Sequence, residues 1–137
     1  MHTSFVSRRL LTLAFLAALT LFAAPAFADQ NDKLNGAWVP DVEKSLDLLI
    51  GAGVVDQDKR DEAREGLSTL KVTFDVPGRV IHGELKGKGG ITSILEIADN
   101  PDGSVHIRTD NHADTLRFVN DDTILAVYSH LMLKRVK

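Results

Sequence analysis

A two-residue hydrophobic repeat in the second half of the chain constrains its fold more than any other feature. Between residues 70 and 76 every second residue is apolar, and this period places the apolar side chains on one face of a β-strand. Six more segments of strand character follow, separated by turn signals such as Pro77-Gly78 and the run at 100–103. Short strands joined by hairpin-sized turns predict an antiparallel meander.

With a first strand at 36–39, the sequence predicts eight strands. Their predicted ranges are 36–39, 70–76, 79–86, 91–99, 105–108, 116–118, 123–129 and 131–136. An open meander would leave two exposed edges, and closure into a barrel removes both. We therefore favour a closed barrel, with a curved open sheet as the alternative.

The segment between the first two strands has the period of a helix. One apolar stripe is formed by Val42, Leu46, Leu49 and Ile50. Asp41 is a suitable N-cap for this helix, and Asp56 or Asp58 could cap a second helix that runs through Leu67. The predicted fold is thus mainly β (α+β), with two short helices between strands 1 and 2.

The N-terminal segment has the features of a secretory signal peptide. Arg8-Arg9 precede an apolar run of 15 residues, Leu10 to Ala24, and Ala26-Phe27-Ala28 is an A-x-A cleavage site. The run is shorter than the roughly 18 residues that span a bilayer, although an uncleaved anchor is the alternative. We predict a signal peptide at 1–28, cleaved after Ala28, and one domain at 29–137.

The composition of the mature chain limits its partners and its compartment. Without the signal peptide all 19 acidic residues remain against 14 Lys and Arg, a net charge of −5, which argues against nucleic acid as a partner. The chain contains no cysteine, so it has neither a disulfide nor a thiol for a lipid anchor. We expect a periplasmic protein, or alternatively a secreted one, with no transmembrane segment after cleavage.

Gly36-Ala37-Trp38 on a first strand, then a helix, then a meander that ends in "LMLKRVK", resembles the lipocalin-like proteins of the calycin superfamily. The resemblance implies that Trp38 plugs the closed end of a barrel and that a basic residue of the last strand covers its ring. Arg135 is the candidate, and the resemblance would explain Gly36 by crowding at this point. The helical pair also resembles the lid of intracellular fatty-acid-binding proteins.

A barrel of eight strands has an interior that side chains just fill or that holds one small molecule. The residues predicted to line this interior, as a ligand-binding site, are Trp38, Phe74, Leu95, Ile97, Ile107, Phe118 and Val127. They are almost all apolar, whereas specific pockets usually contain a few placed polar groups. A fully packed core is therefore the competing interpretation.

The sequence contains no recognised catalytic motif, so we predict a non-catalytic protein without a cofactor. An enzyme is the third hypothesis, and a cluster of titratable residues at the mouth of the barrel would distinguish it. Asp110, His112 and Asp114 could face one way in an extended segment and bind a metal, but an ordinary turn explains them equally well, and no metal site is predicted. The leading hypothesis is an exported binding protein for a small apolar or amphipathic molecule. The alternative is a packed barrel that binds or inhibits another envelope protein through its surface.

Overall fold

A nine-stranded antiparallel sheet curls into a half-barrel in the computed structural model, which describes residues 30–137. The predicted signal peptide, 1–28, lies outside this range. The mainly-β prediction is confirmed. The strands are β1 (Gly36–Pro40), β2 (Lys71–Asp75), β3 (Val80–Leu85), β4 (Lys88–Ser93), β5 (Glu96–Asp99), β6 (Val105–Arg108), β7 (Ala113–Asn120), β8 (Thr123–Ala126) and β9 (Leu131–Arg135).

The sheet has the order β4-β3-β2-β1-β9-β8-β7-β6-β5, so consecutive strands are neighbours except where β1 pairs with β9. The strand predicted at 91–99 is divided between the two edges: its residues 91–93 belong to β4, which begins earlier, at Lys88, where a turn was expected, and its residues 96–99 form β5. This strand bends at Leu95, and its first part pairs with β3 while its second part pairs with β6. Nine strands therefore replace the predicted eight.

Two hydrogen bonds at the bend continue the ladders on either side of it, one towards β3 and the other towards β6. The amide of Ile94 donates to the carbonyl of Arg79 at 2.8 Å, and the amide of Leu95 donates to the carbonyl of Arg108 at 2.8 Å. Beyond these two residues β4 and β5 do not pair with each other. The sheet is thus curled but open, so the structure has the curved open sheet and not the closed barrel that we favoured.

Two helices lie between β1 and β2, as the sequence predicts: α1 (Val42–Gly51) and, after a 3-10 turn at Gln57–Lys59, α2 (Arg60–Leu67). Asp41 caps α1, since its carboxylate accepts from the amide of Lys44 at 3.4 Å. Asp56 precedes the 3-10 turn without a side-chain capping bond. No helix within residues 30–137 is long and apolar enough to cross a membrane.

The core fills the concave side of the sheet. Its buried apolar residues are Leu34, Trp38, Phe74, Val76, Ile94, Val105, Ile107, Leu116, Ile124, Ala126 and Leu133. In β8 the side chains of Ile124 and Ala126 face the core. The sequence analysis placed Val127 in the interior, so the predicted alternation of this strand was out of phase by one residue. Ile124 and Ala126 lie opposite Leu133 and Leu131 in β9, and directly opposed residues of an antiparallel pair share one face.

Candidate functional site: an apolar cavity above a closed end

Trp38, which the resemblance predicts to plug the closed end of a barrel, lies where β1 pairs with β9, and we call this region the closed end. The side chain of Trp38 is fully buried, and the indole Nε1–H donates to the carbonyl of Leu34 at 2.8 Å. β1 and β9 pair Trp38 with Arg135, and the guanidinium carbon lies 4.3 Å from the centroid of the indole ring. This distance is that of a cation–π contact. The two residues that the sequence analysis paired are therefore in contact.

Arg135 also ties together the chain segments around this end. Its two Nη atoms donate to the carbonyls of Lys33 (2.6 Å), Asn35 (2.9 Å) and Asp121 (3.1 Å), and its Nε lies 3.3 Å from the carboxylate of Asp122. The planar fork of arginine suits several acceptors at once, which a lysine ammonium does not match. The residue thus orders the segment before β1 as well as covering the tryptophan.

The backbone conformation of Gly36, and not crowding, explains the glycine beside Trp38. Its φ is +116°, a region that residues with a side chain rarely adopt. A Cβ built there would lie 3.5 Å from Nη1 of Arg135, an ordinary van der Waals distance. The expectation of crowding is therefore corrected.

A polar groove of about 560 Å³ lies beside the closed end. Asp122 is its central carboxylate, and a hydrogen bond from Lys137, with the charge of Arg135, holds its pKa below the usual range. Lys137 Nζ lies 2.9 Å from this carboxylate. Because Asp122 is already paired with Lys137 and Arg135, we do not regard the groove as the functional site.

A half-enclosed cavity of about 150 Å³ lies within the concave side of the sheet. Its floor consists of buried residues, and its rim of partly exposed ones. The floor residues are Phe74, Ile107, Asp114, Leu116, Ala126 and Leu133, and the rim residues are Val72, Ile81, His112, Ser129 and Leu131. All but three are apolar, so the cavity wall is mostly hydrocarbon.

The three polar residues of the wall form a connected group, which we call the polar cluster: His112, Asp114 and Ser129. Asp114 is buried, and its carboxylate accepts hydrogen bonds from the amides of Thr115 (2.8 Å), Tyr128 (2.8 Å) and Ser129 (3.2 Å), and from the hydroxyl of Ser129 (2.5 Å). The cluster thus joins the start of β7 to the turn between β8 and β9.

His112 completes the cluster from its exposed side. Its Nε2 lies 3.2 Å from the hydroxyl oxygen of Ser129 and 3.5 Å from Asp114 Oδ2. In a hydrolytic triad the imidazole bridges the two partners with different nitrogens, and the serine gives its proton to the imidazole. Here one nitrogen faces both partners, and Ser129 is bonded to the carboxylate directly. The arrangement is therefore not that of a serine hydrolase.

Asp110 does not join the polar cluster. It is exposed, and within residues 30–137 there is no group of three or more His, Cys, Asp or Glu residues that could hold a metal ion. From the sequence, His112 and Asp114 were candidates only as metal ligands. Ser129 was not among the residues predicted to belong to a site. The sequence gives no periodic signal for Ser129. It reaches Asp114 only because β8 pairs with β9.

The structure places the seven predicted interior residues differently. Phe74 and Ile107 line the cavity, and Trp38 is buried in the core without lining it. Ile97 and Phe118 are partly buried and pack against the core. The other two do not belong to the core. Leu95 is 46% exposed because the strand bends there, and Val127, just past the end of β8, is one residue out of step with the inward-facing Ala126.

The two helices pack beside the sheet, and no residue of either lines the cavity. Salt bridges hold α2 to α1: Glu43 accepts from Arg64 at 2.9 Å and from Arg60 at 3.2 Å, and Asp47 accepts from Arg60 at 3.1 Å. Hydrogen bonds from Arg64, then from Arg60, lower the pKa of Glu43 to about 2. The helices therefore do not form a wall of the cavity, unlike the lid that the resemblance implied.

No family model matches the chain, and neither the curated proteins nor the solved structures include a significant match. The lipocalin-like resemblance stays a prediction. The functional interpretation therefore depends on the geometry described above.

Proposed function

We propose that the protein is an exported, non-catalytic binding protein that takes a small apolar molecule, or the apolar end of an amphipathic one, into the cavity. The observation that carries the proposal is the half-enclosed cavity of about 150 Å³, whose floor is apolar except for Asp114. The predicted signal peptide would direct the protein to the periplasm or beyond the cell.

The size of the cavity limits what it can enclose. Ligand pockets for drug-sized molecules usually have volumes of about 300–1,000 Å³, whereas an apolar cavity of roughly 150 Å³ in another protein binds benzene. We therefore expect the enclosed part of the ligand to be about the size of a benzene ring or a short alkyl segment. Any larger part would extend past the rim.

Titration of residues 29–137 with toluene, followed by two-dimensional NMR, tests this proposal. Shifts should concentrate at the floor and rim residues, such as Phe74, Ile107 and Leu131. Ala126→Leu places three more carbon atoms in the cavity and should abolish the shifts, whereas Ala98→Leu, at an exposed position of β5, should not. Shifts elsewhere, or none at saturating toluene, would contradict the proposal.

Native mass spectrometry of Asp29–Lys137 isolated from its own cells would then identify the natural ligand. A bound small mass that is released on unfolding is expected. A polypeptide that carries only another protein would support the second candidate instead.

The second candidate is a surface that binds another envelope protein, and β4 is the feature that favours it. All six residues of β4 are exposed, and its outer edge pairs with no other strand of residues 30–137. Exposed edges of this kind can accept a strand from a partner. In this case Ile91→Lys, on β4, should abolish co-purification of the partner, and Val119→Lys, an exposed apolar position on β7, should not.

A further inference from the structure

We propose that the cavity selects ligands whose polar end is neutral or cationic and discriminates against carboxylates. This inference rests on the proposed function, because it concerns the head group of a molecule whose apolar part occupies the cavity. The observation behind it is the composition of the polar cluster, which contains one buried carboxylate and no permanent cation.

Asp114 places a negative charge in the cavity wall. Its side chain is 5% exposed, and the four hydrogen bonds that it accepts come from neutral amides and one hydroxyl. Neutral donors stabilise a carboxylate but leave its net charge in place. Charges separated by protein and not by water interact more strongly than charges in bulk water, so this charge acts on any ligand in the cavity.

No lysine or arginine lines the cavity, so His112 is the one residue of the wall whose side chain can carry a positive charge. When His112 is neutral, the cluster has a net charge of −1. When it is protonated, its charge is balanced by Asp114, whose Oδ2 lies 3.5 Å away. In neither state does the cluster have the excess positive charge that a carboxylate ligand requires.

The hydrogen-bonding groups at the rim point to the same class of ligand. Because the hydroxyl of Ser129 donates to Asp114 at 2.5 Å, its oxygen is an acceptor toward the other side. His112 Nε2 lies 3.2 Å from that oxygen and can donate to one of its lone pairs. The second lone pair of the Ser129 oxygen remains available. A ligand hydroxyl or ammonium group can donate to it, whereas a carboxylate has no proton to donate.

The test compares four probes that share one apolar body: toluene, benzyl alcohol, benzylammonium and benzoate. Dissociation constants for residues 29–137 are measured by NMR titration at pH 7.5 and constant ionic strength. With an effective dielectric constant of about 20 and charges about 6 Å apart, we expect benzoate to bind roughly a hundredfold more weakly than neutral benzyl alcohol, and more weakly still than benzylammonium. Benzyl alcohol should bind at least as tightly as toluene.

Three variants separate the charge of Asp114 from its surroundings. Asp114→Asn keeps the shape of the side chain and should remove most of the difference between benzoate and benzylammonium, while Asp110→Asn removes an exposed charge nearby and should leave the difference intact. His112→Gln should not weaken benzoate binding. This third variant keeps the test informative if Asp114→Asn fails to fold.

The outcomes distinguish the two levels of the proposal. Benzoate binding as tight as that of benzyl alcohol, or a tenfold loss of benzoate binding in His112→Gln, would overturn the head-group inference and leave the proposed function standing. If none of the four probes binds, toluene included, both the inference and the proposed function are wrong.

Discussion

Ser45 and Met132, 87 positions apart in the chain, exchange two hydrogen bonds through a single hydroxyl group. The hydroxyl donates to the carbonyl of Met132 at 3.2 Å and accepts from its amide at 3.0 Å. Just past the last β1–β9 pair, Pro40 with Leu133, the amide of Asp41 also donates to the carbonyl of Met132 at 2.7 Å, so the hydroxyl of α1 adds a second donor to that carbonyl and gives the amide of Met132 an acceptor. It anchors the helix to the sheet.

Ser45→Ala should therefore lower the free energy of unfolding by about 1–3 kcal/mol, because the amide of Met132 would lose the Ser45 hydroxyl as its acceptor. Urea denaturation followed by circular dichroism measures the change. Ser93→Ala, at an exposed position of β4, is the control and should have little effect. Equal stability of the two variants would show that the hydroxyl bridge does not anchor α1.

Replacement of Arg135 tests the closed end. Arg135→Lys keeps the positive charge but cannot reach the carbonyls of Lys33 and Asn35 in the same geometry, so we expect a loss of about 1–3 kcal/mol in the free energy of unfolding. The control is Arg117→Ala, whose side chain is 59% exposed. If lysine restored full stability, charge alone would account for the role of Arg135.

Gly36→Ala should destabilise the fold by about 1–3 kcal/mol, because the φ of +116° is strained for any residue with a side chain. Gly90→Ala is a matched control, since a Cβ at that position of β4 has no neighbour within 4 Å and the backbone is ordinary. Thermal denaturation of both variants measures the difference. A Gly36→Ala melting temperature equal to that of the parent would exclude backbone strain as the reason for this glycine.

The emission of Trp38 reports directly on the closed end, because the chain has one tryptophan. Its side chain is 0% exposed, so the emission maximum should be blue-shifted and acrylamide should quench it weakly. Trp38→Ala should cost about 3–5 kcal/mol in the free energy of unfolding, as for other buried large aromatic residues. A solvent-like emission spectrum from the folded protein would refute the buried position.

Acid should weaken the contact between α1 and α2 in a defined pH range. The pKa of Glu43 falls from 4.5 to about 2 in the folded protein, so the stability that its ionised form contributes is fully present above about pH 4.5. It is lost as the pH falls from 4.5 through 2. The melting temperatures of the parent and Glu43→Gln should therefore differ at pH 7 and converge towards pH 2, whereas a constant difference would argue against the Arg60 and Arg64 pairing.

The mainly-β class, the helix cap at Asp41 and the contact between Trp38 and Arg135 could be predicted from the sequence. Alternation and capping are local properties, so short stretches of sequence contain the necessary information. The resemblance implied that a basic residue of the last strand covers Trp38. Because Leu131, Leu133 and Arg135 are spaced two apart, Arg135 shares a face with two apolar residues, and this made it the candidate.

The remaining features depend on how distant segments pair. The register of β8 against β9 decides that Ala126 and not Val127 faces the interior, and the same hairpin brings Ser129 to Asp114. The bend at Leu95 follows from pairing with two different strands. Such features leave no periodic signal, so the exact lining of the cavity and the place of Ser129 in the polar cluster could not be recognised before the structure was known.

The pairing of β1 with β9 also has a consequence for the order of folding. The other neighbours in the sheet are consecutive along the chain, but β1 must wait for the last strand, and Trp38 stays uncovered until Arg135 has been synthesised. Contacts of such long sequence separation slow folding. A nascent chain can thus form its hairpins progressively, whereas its two ends join only after synthesis of β9, and until then the polypeptide remains a target for chaperones and proteases.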